Sequence, residues 1–273
     1  MLLRLLFLCS LFPLSVMGGE LKVTSYNIRQ DTAGDKGDRE WAKRAPGILK
    51  FLKEGEFSII GLQEAKHNQV EGIQKGLPLF KRLGVGRADG KKGGEYAPLF
   101  YDSATWSVDE KEQGNFWLSD TPEIPGSMSW GNKVTRICTW GRFLGKDGKA
   151  FYVYNTHWDH RSEASREKSA GLILERVKAR KFQQDPVILM GDFNATIESA
   201  AIKIFLNSGM FLDHGEKVQF LTFNKWVPGL KEGLRIDHIL VSPSLKKAKF
   251  QALADGDPVN SDHHPVALTI ATD

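Results

Sequence analysis

Residues with ligand or proton-transfer chemistry recur where short apolar runs stop: Asn27, Glu64, His157, Asp192 with Asn194, Asp237, and Asp262 with His263. Carboxylates and carboxamides are hard oxygen donors suited to a divalent cation, and an imidazole near a carboxylate moves protons close to neutral pH. Taken singly, Asn and Asp in such places are turn formers that bond their own backbone. A site follows only if the strand ends converge on one edge of the fold.

The runs that must position these groups read as alternating strands and helices. Leu21, Val23 and Ser25 alternate toward a strand ending at Tyr26-Asn27; Trp41, Ala45, Ile48, Leu49 and Leu52 recur at helical spacing; Phe57 to Leu62 is a short apolar run ending in Gln63-Glu64. Further strands are predicted at Tyr96 to Tyr101, Val134 to Phe143, Phe151 to Thr156, Pro186 to Met190, Ile236 to Val241 and Val266 to Ile270. Ala170, Ile173, Leu174 and Val177 mark a helix with Ser162 as its N-cap. There is no internal repeat and no Pro-Gly linker long enough to divide the chain. The expectation is one domain over residues 19–273, an α/β (α+β) chain in which two sheets pack face to face with helices outside.

Composition permits that architecture. The 273 residues carry 37 Lys plus Arg against 33 Asp plus Glu, are 41% hydrophobic and include 2 cysteines. A chain of this length buries roughly 73% of its surface without covalent staples, and a disulfide framework, a collagen-like repeat and a disordered tail are all excluded. Met1 to Arg4, the apolar stretch Leu5 to Val16 and the small residues Gly18 and Gly19 form a signal-peptide pattern, too short for an ordinary membrane span. The expected product is secreted or periplasmic, cleaved after Gly18 or Gly19, without a membrane anchor and monomeric. Removing Arg4 lowers the formal charge from +4 to +3, and removing Cys9 leaves Cys138 alone in a structural role. That charge falls short of a dedicated DNA binder. Arg82, Arg87, Lys91 and Lys92, which crowd the Gly-rich stretch Gly84 to Gly94, like Lys246, Lys247 and Lys249, read as solvated. The Gly-rich stretch has the wrong spacing for a P-loop and no Ser or Thr after its lysine.

Six segments, Ser25-Tyr26-Asn27-Ile28-Arg29, Leu62-Gln63-Glu64, Asn155-Thr156-His157, Gly191-Asp192-Phe193-Asn194, Arg235-Ile236-Asp237-His238-Ile239 and Ser261-Asp262-His263-His264-Pro265, occur in the order that resembles the endonuclease/exonuclease/phosphatase superfamily. The resemblance spans nearly the whole chain after the leader. It implies a deoxyribonuclease I-like, four-layered sandwich of two mostly antiparallel sheets flanked by helices, cleaving phosphoesters with Mg²⁺ or Mn²⁺. It further implies Glu64 as the first metal ligand with Asn27 beside it and Asp262 completing the metal environment. Asp192 would help deprotonate the attacking water, Asn194 would orient water or phosphate, and His263 would contact phosphate or relay a proton with Asp237 behind it. His157 would protonate the leaving oxygen with Glu95 as its partner, and Arg136 would bind phosphate. The alternative for Asp237 is a core carboxylate paired with Arg235. One departure is Arg29, where exonuclease III-like members carry an acidic residue; a second carboxylate ligand is absent there, which argues against a two-metal site and against abasic-site repair.

His157-Trp158-Asp159-His160 matches half of the zinc motif of metallo-β-lactamase-like hydrolases, but Asn155 stands where the first histidine belongs. His160 is instead expected in the pocket wall with Arg161 and Arg166. Trp41, Trp130, Trp158 and Trp226 lie near the site segments, and Trp226, in the rim loop Thr222 to Trp226, is the candidate for stacking on substrate; aromatic residues are otherwise core packing. The substrate class stays open between a small phosphoester and a nucleic acid, a secreted nuclease being the alternative activity. No exposed hydrophobic hairpin for a lipid substrate is visible. A catalytically silent phosphate- or sugar-binding module would require loss of a central residue, and all six segments keep theirs.

Overall fold

The computed structural model describes residues 20–271 apart from 219, 231, 254, 255, 257 and 258, so the expected leader lies outside the described residues. In chain order the elements are β1 (Glu20–Asn27), α1 (Trp41–Glu54), β2 (Ile59–Gln63), β3 (Ala65–Lys66), α2 (His67–Gly76), β4 (Phe80–Leu83), β5 (Glu95–Tyr96), β6 (Leu99–Asp102), β7 (Trp106–Trp117), β8 (Ile137–Gly145), β9 (Ala150–His157), α3 (Glu163–Ala179), β10 (Val187–Asp192), α4 (Ala200–Asn207), β11 (Leu212–Asp213), β12 (Asp237–Val241), β13 (Ala248–Ala252) and β14 (Val266–Ala271). Two six-stranded sheets run β13-β14-β1-β2-β6-β4 and β11-β12-β10-β9-β8-β7. Within each, one central pair is parallel, β1 with β2 and β9 with β10. Strands covered on both faces need continuous apolar runs, and β2 and β10 are buried at every position.

Three apolar layers follow from the alternation of side chains. Val23, Ile59, Val153, Ile188, Met190, Ile239 and Leu268 fill the space between the sheets. Ile48 and Leu52 of α1 and Val70 and Ile73 of α2 cover the outer face of the first sheet against Tyr26, Ile60 and Phe100. Ile173 and Val177 of α3 and Ile202 and Phe205 of α4 cover the second against Tyr152, Tyr154 and Leu189. Truncating any of these to Ala costs about 2–5 kcal/mol. Helix α3 starts where expected, with the Ser162 hydroxyl accepting from the Ser165 amide at 3.1 Å.

Some elements differ from the sequence reading for local reasons. The run Tyr96 to Tyr101 is broken at Ala97-Pro98, because Pro98 has no amide hydrogen; its carbonyl instead takes the Leu62 amide at 3.0 Å. As a result β5 pairs with β3, outside the two large sheets. The strand expected from Val134 begins at Ile137, which leaves Arg136 in the approach to β8. Edge strands β7 and β13 carry charged residues on an open face and lack the apolar signature. Lys249 therefore lies within β13 rather than in a loop.

Candidate active site

Register brings the strand ends together. Asp192, the last residue of β10, is the lateral partner of His157 on β9 and of Asp237 on β12. That approach requires glycine one residue earlier: Gly191 has φ +152, and a Cβ there would collide with the Thr156 carbonyl of β9. In the first sheet Asn27 ends β1 beside Gln63 of β2, and Glu64 follows with φ 62. The two sheets meet through Asn27, whose Nδ2 donates to Asp192 Oδ2 at 2.9 Å and to Glu64 Oε1 at 3.1 Å. Asn27 Oδ1 accepts from the Arg29 amide at 3.0 Å, so this carboxamide ties the two carboxylates together. Asn194 (φ 47) donates its amide to Asp192 Oδ1 at 2.9 Å and its Nδ2 to the Trp158 carbonyl at 3.1 Å. Glu64, Arg29 (φ 55) and Asn194 are thus all left-handed non-glycine residues, a conformation costing about 1–3 kcal/mol each and held here by those bonds.

Beside this row, His263 Nδ1 lies 2.9 Å from Asp237 Oδ2, with both side chains buried, while its Nε2 is 3.8 Å from Asp192 Oδ2. The Thr222 hydroxyl accepts from the Ile236 and Asp237 amides at 3.0 and 3.1 Å and anchors the start of β12. Burial works against charge on His263, but Asp237 and Asp192 outweigh it and hold the imidazolium up to about 10. Burial, then the nearby Asp237 carboxylate, pushes Asp192 up to about 7. A cationic imidazole therefore faces a carboxylate poised to take a proton near neutrality.

The other wall is cationic. Arg136 is 2% exposed; its Nη2 donates to His160 Nδ1 at 2.9 Å, and its Nε and Nη1 have no hydrogen-bond partner among the described residues. Burial, with Arg87 beside it, brings this guanidinium down to about 10. His157 Nε2 is 3.5 Å from Asp192 Oδ2, and its Nδ1 is 3.9 Å from Glu95 Oε2 without a hydrogen bond. Glu95 is instead paired with Arg87 at 2.8 Å. Burial, followed by Arg136 and Arg87, holds His157 well below the usual histidine range, so its ring is neutral. These residues line one cavity of about 310 Å³, together with Arg29, Gln30, Glu64, Val134, Asn194, Phe223, Asp262 and His263.

The structure places nearly every sequence-predicted residue at this cavity: Glu64, Glu95, Arg136, His157, His160, Asp192, Asn194, Asp262 and His263 line it, with Asn27 and Asp237 directly behind. Trp226 is not part of the lining; it packs on the guanidiniums of Arg39 and Arg44 at 5.4 and 5.3 Å. Phe223, three residues earlier, lines the cavity instead. Trp158 is fully buried in the core, and Trp130 bonds Asp120 at 2.7 Å. Arg235 pairs with Asp213, not with Asp237. Arg29, at the position of the missing acid, pairs with Asp35 at 3.1 Å and approaches Glu64 at 3.9 Å. Arg87 belongs to a stretch whose composition reads as solvated, yet it is 9% exposed and faces the cavity.

The donor set fits a divalent cation. Glu64, His157 and Asp192 each offer an atom within 4.8 Å of the others, and so do Asp192, Asp237 and His263. In the second group Asp237 and His263 are bonded to each other, and the Glu64–Asp192 side is the one open to an ion. Burial there raises Asp192 and Asp262, a charge penalty that a bound cation relieves. Hard oxygen donors, a proton acceptor and a wall of guanidiniums define a divalent-metal-assisted phosphoric ester hydrolase.

The pattern of the Endonuclease/Exonuclease/phosphatase family matches residues 24–263, and the chain belongs to that family. Its structure is similar to a mannosyl-6-phosphatase from Bacteroides thetaiotaomicron, with 34% identity over 92% of this chain and 99% of that one and a TM-score of 0.85. A second family protein from the same organism is 33% identical over 93% and 98% of the two chains, at a TM-score of 0.84. The human Nocturnin catalytic domain with bound sulfate shares the fold at 17% identity over 92% and 93% of the chains, at a TM-score of 0.72. No curated protein matches the sequence significantly.

Proposed function

We propose that this hydrolase is a phosphomonoesterase of small phosphorylated substrates, sugar phosphates first among them, working with Mg²⁺ or Mn²⁺. The observation that carries this reading is the cavity of about 310 Å³, which encloses both the Asp192–His263 row and Arg136 and suits a compact anion better than a duplex. The 34% identical mannosyl-6-phosphatase supports the same substrate class.

In this reading Glu64 would hold the ion on its Asp192 side, Asp262 would complete the surroundings, and Asn27 would set the spacing of the Glu64 and Asp192 carboxylates. The ion, when bound, supplies positive charge against the phosphate oxygens and acidifies water. Asp192 accepts the proton of the attacking water, and Asn194, fixed to Asp192 and Trp158, orients it. His263, kept cationic by Asp237, donates to the phosphate oxygens as their charge grows. Arg136 offers its unpartnered Nε and Nη1 to the same phosphate. His157 delivers a proton to the leaving oxygen. It is neutral before substrate binds because burial disfavours its charge and Arg136 and Arg87 repel it; an anionic phosphate beside them offsets that repulsion and makes its protonation easier.

The test is purified protein offered hexose 6-phosphates, 4-nitrophenyl phosphate, bis(4-nitrophenyl) phosphate, DNA and RNA. Phosphate release from the monoesters supports the reading, and cleavage of nucleic acid alone refutes it in favour of a nuclease. We also infer export of a monomeric product, motivated by the leader pattern of residues 1–18. Intact mass of protein from the native host's envelope or medium should begin at Gly19 or Glu20; retention of Met1 contradicts it.

A further inference from the structure

Arg87 sits on a hairpin whose backbone bonds hold it beside the cavity. Gly86 donates to the Lys91 carbonyl at 3.0 Å, Ala88 to Gly93 at 3.0 Å, and Arg87 itself to Glu95 at 2.9 Å. The tight turn needs its glycines: Gly94 has φ +78, and a Cβ on Gly86 would collide with the Gly93 carbonyl. From the other side the Trp117 indole donates to the Arg87 carbonyl at 2.6 Å. With its amide and carbonyl both engaged, Arg87 turns its guanidinium inward, where Nη1 meets Glu95 at 2.8 Å in the lining of the cavity.

The guanidiniums of Arg87 and Arg136 therefore share a cavity that Arg29 also lines, more cationic groups than a single charge would require. Arg136 keeps Nε and Nη1 without a hydrogen-bond partner among the described residues, and Asp159 lies 3.8 Å from its Nε. Their mutual repulsion helps bring Arg136 down to about 10. Fixed forks that repel each other are best satisfied by an anion with several oxygens and more than one charge. A phosphomonoester carries about −1.5 to −2 charges at pH 7 and three terminal oxygens. A diester carries one charge and two terminal oxygens, and its second ester group takes the place of the third.

We propose that Arg87 is the residue that selects phosphomonoesters over phosphodiesters, closing with Arg136 on the terminal oxygens of the dianion. This rests on the phosphomonoesterase reading above and assigns its substrate discrimination to one side chain. The fork matters as well as the charge: lysine in its place keeps the pairing with Glu95 but donates from a point.

The experiment compares wild type, Arg87→Met and Arg87→Lys on 4-nitrophenyl phosphate and bis(4-nitrophenyl) phosphate, with thermal unfolding to verify the fold. Both substrates share an aryl leaving group, so protonation by His157 drops out of the comparison. Arg87→Met should lower kcat/KM on the monoester on the order of 10- to 100-fold and on the diester less than about 3-fold, with Arg87→Lys between it and wild type on the monoester. Equal losses on the two substrates, or no loss on either, overturn the assignment to Arg87 while leaving the phosphomonoesterase reading intact. A wild type that cleaves only the diester overturns that reading, and the selection by Arg87 with it.

Discussion

Replacing Asp237 by Asn keeps the size of the side chain behind His263 and removes its charge. The pair is buried, with 2.9 Å between Nδ1 and Oδ2, and Asp237 Oδ1 has no other hydrogen-bond partner among the described residues. Breaking a buried pair by neutralising one member costs about 3–5 kcal/mol. If that energy is realised as charge builds on the phosphate, about 1.4 kcal/mol per factor of ten gives a fall in kcat of about 10²- to 10⁴-fold. KM should change little, because Arg136 and the metal ligands still hold the ground state. The pH profile carries a second signature. Burial and Asp237 raise Asp192 to about 7 without an ion, and a bound cation relieves that, so activity should rise with pH through a value below 7. His263 is raised to about 10, so its cation is present below that pH and activity should fall as pH climbs through it. Removing the Asp237 charge should bring the alkaline limb down by a unit or more, about the size of a lost buried charge contact. The assay is steady-state hydrolysis of 4-nitrophenyl phosphate from pH 5 to 11, with circular dichroism to verify folding. A folded variant with kcat within about 3-fold of wild type and an unmoved alkaline limb would refute the dyad, since general acid–base groups contribute about 10²-fold or more.

Glu64→Gln should weaken metal binding by at least about 10-fold without lowering the unfolding midpoint, because a half-buried rim carboxylate does not support the core; calorimetric titration with Mn²⁺ measures it, and unchanged affinity removes Glu64 from the ligand set. His157→Ala should harm hydrolysis of an alkyl phosphate at least about 10-fold more than that of an aryl phosphate, since an aryl oxide leaves without a proton; equal defects, with chemistry rate-limiting, leave His157 as an anchor only. Asp213→Asn tests the buried pair with Arg235. Burial works against the Asp213 charge, but His238 and Arg235 outweigh it and hold the carboxyl below its usual value. Its contribution is therefore present above the unfolded value of about 3.9 and lost as pH falls below it. Urea titrations should show the variant less stable by about 3 kcal/mol at pH 7, with a shallower loss of stability in acid; parallel curves contradict this.

The catalytic row is legible in the sequence because apolar runs stop at it: a strand that ends in Asn27, His157 or Asp192 announces both its element and its polar tip. The convergence itself depends on register, which pairs Asp192 with His157 and Asp237 and which short segments do not encode alone. Arg87 is hidden because glycines and lysines around it resemble a solvated loop, while the inward turn is imposed from afar by Trp117 and Glu95. Asp213 is hidden for a similar reason, as its partner Arg235 lies beside the more conspicuous Asp237. Strand β7 escapes a reading by periodicity because Asp109, Glu110, Lys111 and Glu112 interrupt its alternation, which an edge strand tolerates. Trp226 is an attractive stacking residue by chain position, but Arg39 and Arg44 occupy its face.

The central claim is that one metal-dependent site, built around Asp192, hydrolyses small phosphomonoesters. The most direct measurement is release of inorganic phosphate from a hexose 6-phosphate by the purified protein, before and after chelation, after readdition of Mg²⁺ or Mn²⁺, and in Asp192→Asn. Turnover should be abolished by chelation, restored by Mg²⁺ or Mn²⁺, and lower by about 10²-fold or more in the folded Asp192→Asn protein. Full turnover in excess EDTA, or an Asp192→Asn protein as active as wild type, would contradict the central claim.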